Sequence, residues 1–236
     1  MTTVVSTTRN GEIAVIAIDN PPVNALGPAV RAGLLDAVRQ AQADAGVRAM
    51  VILCRGRSFI AGADLAEFDR PPQLPEVTQA IEQSAKPIVA ALHGSALGGG
   101  FEIALASHYR IAAAEARVGL PEVKLGLMPG AGGTQRLPRL TGVQPALEMI
   151  LDGEPVPAQR ALDLGAIDEI ARGELEPAAI EAARRLIGSA PRRTGALPVP
   201  ACDPAVFAAA EQSAVKRHPT LPDHQHVERV AQIVPR

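Results

Sequence analysis

The residues that could do chemistry crowd into one stretch, 93–134: HGSALGGGFEIALASHYRIAAAEARVGLPEVKLGLMPGAGGT. Gly98, Gly99 and Gly100 precede a carboxylate, Glu102, and a second carboxylate, Glu122, follows in GLPEVKLG. Glycine lets backbone approach a ligand closely or take a positive φ at no steric cost. A glutamate in the first turn of a helix sits near the positive end of the macrodipole. Two glutamates delivered to one pocket could share acid and base work. Each also has an ordinary reading, as a helix-start glutamate or a solvated turn residue, and spacing alone leaves both readings open.

The elements that would position this stretch can be read in chain order. Residues 4–8 and 13–19 are alternating β-branched runs with Asn10-Gly11 between them, the pattern of a hairpin. Residues 28–45 carry apolar positions at helical spacing, with a proline near the start. Residues 50–54 (MVILC) and 87–92 (PIVAAL) are wholly apolar, as strands covered on both faces are. PIVAAL, a Gly-rich loop and a helix over 99–107 form a strand–loop–helix in which free N–H groups point at an incoming oxygen. The same layout recurs where Cys54 leads through Gly62 to Phe68, with Asp64 as a helix N-cap or first-turn residue. Two amides from two such loops would make an oxyanion hole, and losing one donor typically costs about 3–4 kcal/mol.

Further helices are predicted over 76–84, 134–140, 144–151, 158–164, 176–187, 205–217 and 223–234. Short strands fall at 109–113, 117–119 and 167–170. Residues 188–204 shift to Pro, Gly and Arg and read as a linker or lid. Strand pairs followed by helices recur, which predicts an α/β fold with a helical C-terminal section.

Composition narrows the function classes. The 236-residue chain is 47% hydrophobic and 20% charged, with a net charge of −2. That balance argues against nucleic acid and anionic membrane as partners. Two isolated cysteines, Cys54 and Cys202, suggest a reducing compartment. No basic leader precedes an apolar core, and no apolar run approaches about 18 residues, so a cytoplasmic protein is expected. Phosphate-loop, dinucleotide-fingerprint, GxSxG, HExxH and CxxC patterns are missing from the sequence. His93 and His108 read as structural, and the HQH at 224–226 is a poor metal signal.

Four segments together resemble the enoyl-CoA hydratase/isomerase, or crotonase, family: NPPVNAL at 20–26, FIAGADLAEF at 59–68, HGSALGGGFEIALASHYRIAA at 93–113 and VGLPEVKLGLMPGAGGTQRLPRLTG at 118–142. The details are most similar to the hydratase part of peroxisomal-type bifunctional enzymes. The resemblance runs from Asn20 to Asp168 and thins toward Ile187. It implies a crotonase-like spiral of ββα units over residues 1–188, followed by a linker and helical tail over 189–236. It implies an acyl-CoA thioester as substrate, no cofactor and no metal.

By the same resemblance, the catalytic carboxylates are Glu102 and Glu122, and the oxyanion amides are those of Ala63 and Gly99. Substrate contacts fall at Asn24, Ala25, Ala61, Gly62, Asp64, Leu65, Gly98, Pro121 and Gly130. The implied reaction is hydration of a trans-2-enoyl-CoA. The alternatives are a Δ3,Δ2-enoyl-CoA isomerase and a non-catalytic acyl-CoA-binding relative. A homo-oligomer, typically a trimer, is the family's usual assembly. Two departures stand out: Ala66 occupies a position where many hydratases carry lysine, and no dehydrogenase half or closing Gly/Phe/Lys-rich motif follows.

Overall fold

The computed structural model describes residues 4–62 and 70–217. In chain order the elements are β1 (Val5–Asn10), β2 (Ile13–Ile18), α1 (Pro28–Ala43), β3 (Ala49–Cys54), β4 (Ile60–Ala61), α2 (Leu74–Glu82), β5 (Ile88–Leu92), β6 (Ser95–Leu97) and α3 (Gly99–Ala106). They continue with β7 (Tyr109–Ala112), β8 (Arg117–Gly119), a 3₁₀ turn (Pro121–Leu125), α4 (Gly133–Thr141), α5 (Val143–Asp152), β9 (Val156–Pro157), α6 (Ala158–Asp163), β10 (Glu169–Ile170), α7 (Leu175–Leu186) and α8 (Ala205–Arg217).

The strands divide between two sheets, ordered β1-β2-β3-β5-β7-β10 and β4-β6-β8-β9. β2, β3, β5, β7 and β10 run parallel, and β1 closes one edge as an antiparallel hairpin partner of β2. β1 and β2 both lie in the large sheet ahead of α1; each later repeat sends its first strand to the large sheet and its second to the small one before a helix follows. β3-β4-α2, β5-β6-α3 and β7-β8-α4 are three turns of one spiral, so the expected ββα architecture holds.

The large sheet explains the wholly apolar runs. Met50 and Ile52 of β3 face a core shared with α1, α2 and α3, while Val51 and Leu53 face a second core closed by Ala179, Ile180, Ala182 and Ala183 of α7. Alternate residues point to opposite faces of a strand, so a sheet covered on both sides needs apolar residues at every position.

Several boundaries differ from expectation for local reasons. β1 runs on to Asn10, which pairs with Ile13 and leaves Gly11 (φ +62°) and Glu12 as the turn. α2 begins at Leu74, because Gln73 and Glu76 form a reciprocal capping box ahead of the expected start. The Pro/Gly/Arg segment read as a linker or lid lies along the body of the domain: Thr194 is buried, Arg192 pairs with Asp168, and Arg139 donates to the Leu197 carbonyl. The predicted helix at 223–234 and the helix start after Gly62 fall outside the described residues. Among the described residues, no helix is long and apolar enough to cross a membrane.

Candidate active site

The end of β4, the starts of α2 and α3, and the 121–131 segment enclose a cleft of about 550 Å³. β6 ends at Leu97, and Gly98 turns the chain into α3 with φ +54° and ψ −127°. This is a conformation that disfavours a side chain. The helix's own ladder begins where the Glu102 N–H donates to the Gly98 carbonyl at 2.9 Å. The N–H groups of Gly99 and Gly100 precede that ladder, at the positive end of the helix.

Glu102 lies one turn further on and is only 2% exposed. Its Oε1 accepts N–H bonds from Ala131 at 2.7 Å and Gly133 at 2.8 Å. Burial pushes its pKa up; the Gly133 and Ala131 N–H groups and the Arg136 charge oppose that rise. Hydrogen bonds donated to a carboxylate favour its ionised form.

Glu122 arrives on the short 3₁₀ turn, whose end is fixed by Gly126 in the left-handed region. Its Oε2 is buried and has no hydrogen-bond partner among the described residues. Burial, and then the neighbouring Glu102 charge, raise its pKa to about 8. The two carboxyls therefore differ in character. Burial raises both, but only Glu102 has N–H donors and a cation opposing the rise, while Glu122, pushed up to about 8, holds its proton at neutral pH.

Of the residues expected at the site, Ala61, Gly62, Gly98, Gly99, Glu102, Pro121, Glu122 and Gly130 line this cleft together. Ala63, Asp64 and Leu65 lie outside the described residues. Asn24 and Ala25 are not among the cleft's lining residues. Asn24 is buried, and its side chain donates to the Arg55 and Ser58 carbonyls and accepts the Asn20 N–H. Those bonds hold a loop in place and occupy both ends of the amide.

Sequence reasoning missed the donors of Ala131 and Gly133. It tested GAGGT only as a nucleotide-binding pattern, although its glycines do mark a tight turn. It also missed an apolar wall of Leu74, Leu125, Leu127 and Met128, the last three exposed by 61%, 40% and 40%. The expected structural roles of the histidines hold. His108 Nδ1 accepts the Ile88 N–H, and His93 Nε2 bonds the Gly56 carbonyl. Among the described residues, no three His, Cys, Asp or Glu side chains are placed to hold a metal ion.

A spiral of ββα units, with a helix N-terminus and two unlike carboxyls turned into one cleft, defines the crotonase class. Comparisons with known proteins agree with this geometry. The sequence profile described as Enoyl-CoA hydratase/isomerase matches residues 8–198. The chain belongs to that family.

Among curated relatives, the peroxisomal bifunctional enzyme of Danio rerio is 46% identical over 213 residues, covering 87% of this chain and 30% of its own length. A probable enoyl-CoA hydratase of Bacillus subtilis is 47% identical over 187 residues, covering 74% of this chain and 70% of its own. This chain thus spans under a third of the bifunctional relative and most of the single-function one. Among solved structures, enoyl-CoA hydratase from Mycobacterium tuberculosis superposes with a TM-score of 0.74 at 30% identity, covering 99% of this chain and 89% of that one. Pseudomonas aeruginosa DspI gives 0.74 at 31% identity, covering 98% and 88%.

Proposed function

We propose that this chain is an enoyl-CoA hydratase that adds water to a trans-2-enoyl-CoA to give a 3-hydroxyacyl-CoA. The observation that carries the reading is two carboxyls lining one cleft in unlike settings, Glu102 held by the Ala131 and Gly133 N–H groups and Glu122 with an orphaned Oε2. Hydration of a conjugated thioester needs a base for the attacking water and a separate proton for the α carbon.

On this reading the thioester carbonyl sits at the start of α3 and accepts the Gly99 N–H. Ala63 is the proposed second donor, from the loop beyond Gly62. Water held between the carboxyls attacks the β carbon, and Glu102 takes its proton. The C–C π pair moves toward the α carbon while negative charge on the thioester oxygen is stabilised by the amides. Glu122 delivers its proton to the α carbon. Proton transfer from Glu102 back to Glu122 restores the pair, so one water is consumed and no redox change occurs. No cofactor enters this sequence of steps. The apolar wall of Leu74, Leu125, Leu127 and Met128 suits the acyl chain.

A second reading rests on the orphaned Oε2 of Glu122. A lone proton-carrying carboxyl could move a proton between Cα and Cγ, which is Δ3,Δ2-enoyl-CoA isomerisation. Crotonyl-CoA separates these readings. Loss of the enoyl-thioester absorbance on adding the protein supports hydration. Tight CoA binding with no absorbance loss removes it, and conversion of a 3-enoyl-CoA alone favours the isomerase.

A further inference from the structure

Behind Glu102 lies a buried ion pair that the proposed reaction does not use. Arg136 of α4 donates Nε and Nη2 to Glu82 of α2 at 3.0 and 2.9 Å. Its Nη1 donates to the Ala131 carbonyl at 2.7 Å, and Thr78 Oγ1 donates to the same oxygen at 3.1 Å. Ala131 in turn gives its N–H to Glu102. The guanidinium also lies directly under Gly132, which has φ +100°. A Cβ there would come within 2.2 Å of Nη1, so a side chain at this position would displace the guanidinium. Glu82 Oε1 also accepts the Gly195 N–H at 2.6 Å. One ion pair thus joins the end of α2, the first turn of α4 and the segment around Gly195.

A buried ion pair is weak evidence for stability, because desolvation offsets much of the attraction. This one has a second use. The 130–133 turn is GAGG, a sequence with little conformational preference of its own. Its N–H groups can hold a carboxylate ionised only while they stay aimed at it.

We propose that Arg136, locked by Glu82, is a positioning residue for Glu102, pinning the Ala131–Gly133 turn so that both N–H groups stay on the carboxylate.

The electrostatics run in the same direction. The Arg136 charge opposes the rise that burial imposes on Glu102. Burial would also raise Glu82, but the Arg136 bond, the Gly195 N–H and the Arg136 charge hold it below its ordinary value, so the anchor stays charged. The other titratable or charged groups in reach are Glu122 and Arg31 at the cleft, and His108, whose pKa burial lowers to about 4, beside Glu82.

The inference rests on Glu102 being the base, and its test keeps the two claims apart. Arg136→Met, Arg136→Lys and Glu82→Gln are compared for kcat and KM with crotonyl-CoA across pH. The infrared titration of the Glu102 carboxyl, assigned by its loss in Glu102→Gln, is followed in parallel. Arg136→Met is expected to lower kcat about tenfold or more with KM little changed. Its acid limb and its infrared titration should both move to higher pH, because the carboxyl has lost a positive neighbour and well-aimed donors. Glu82→Gln should shift both in the same direction by less, and Arg136→Lys should recover part of the shift. A folded Arg136→Met whose titration stays at the wild-type position overturns the inference even if kcat falls, since a merely structural role lowers activity without moving that titration. If Arg136→Met does not fold, the Glu82→Gln titration decides in the same way. A wild type that hydrates nothing, with the infrared shift still seen in Arg136→Met, removes the hydratase reading and leaves the positioning role standing.

Discussion

The carboxyl of Glu122 packs against Gly98: a Cβ placed on that glycine would lie 3.2 Å from Glu122 Oε1. The residue that turns the chain into α3 therefore also sets how closely the second carboxyl approaches the helix N-terminus. Gly98→Ala is expected to strain a backbone at φ +54° and to push Glu122 out of place. The strain is worth about 1–3 kcal/mol, which lowers the melting temperature by roughly 2–12 °C. Hydration of crotonyl-CoA should fall by about tenfold or more, a larger effect than the melting shift alone explains. Parallel thermal melts and steady-state rates check both.

Removing either carboxyl tests the division of labour. Glu102→Gln and Glu122→Gln are each expected to lower kcat by about 10²–10⁴-fold while crotonyl-CoA still binds. Single-turnover hydration and a binding titration measure the two effects separately. Full hydratase rate in Glu122→Gln would sink the two-carboxyl mechanism.

The pH profile should carry both signatures. Glu122 must enter the reaction protonated, so activity should fall as pH rises through about 8. Glu102 must enter ionised, so activity should also fall on the acid side. In Glu122→Gln, the residual activity should lose its alkaline limb.

The same group links stability to pH. The Glu122 pKa is raised in the folded state from an ordinary 4.5 to about 8, so folding favours its protonated form. That contribution is fully present below about 4.5 and is lost as pH rises through about 8. Glu122→Gln should therefore gain stability relative to the wild type over that window. Urea melts at pH 5 and pH 9 measure the difference.

The apolar wall predicts a chain-length effect. Replacing both Leu127 and Met128 by Ser should leave crotonyl-CoA turnover nearly unchanged. It should lower kcat/KM for a C10 substrate by about tenfold, since each buried methylene is worth about 0.8 kcal/mol. Equal losses for both substrates would remove the wall from the acyl site.

Sequence and structure meet most closely where burial is two-sided. β3 and β5 were legible because strands covered on both faces must be apolar at every position, whereas β2, read as an alternating run, is buried along its whole length. The small sheet was hardly legible. β4 and β9 are two residues long and β6 three, too short to show an alternation, and their pairing depends on where the spiral brings them. The site divides in the same way. The turn into α3 and both glutamates could be read from local chemistry. The donors to Glu102 come from 29 and 31 residues further along the chain, and the ion pair behind them spans 54 residues. Asn24 shows what spacing does not tell: its side-chain amide turns inward and ties up a loop.

The two glutamates stand on very different foundations. Glu102 belongs to an eight-residue helix in which every residue is buried, so any change there disturbs the core. Glu122 rides a five-residue turn of which only Val123 is buried. A scaffold arranged this way can swap its proton carrier with little harm to folding while its base stays fixed. Descent with altered chemistry has an inexpensive place to begin at Pro121–Leu125, and variation in substrate or reaction among chains of this fold should gather there before it reaches α3.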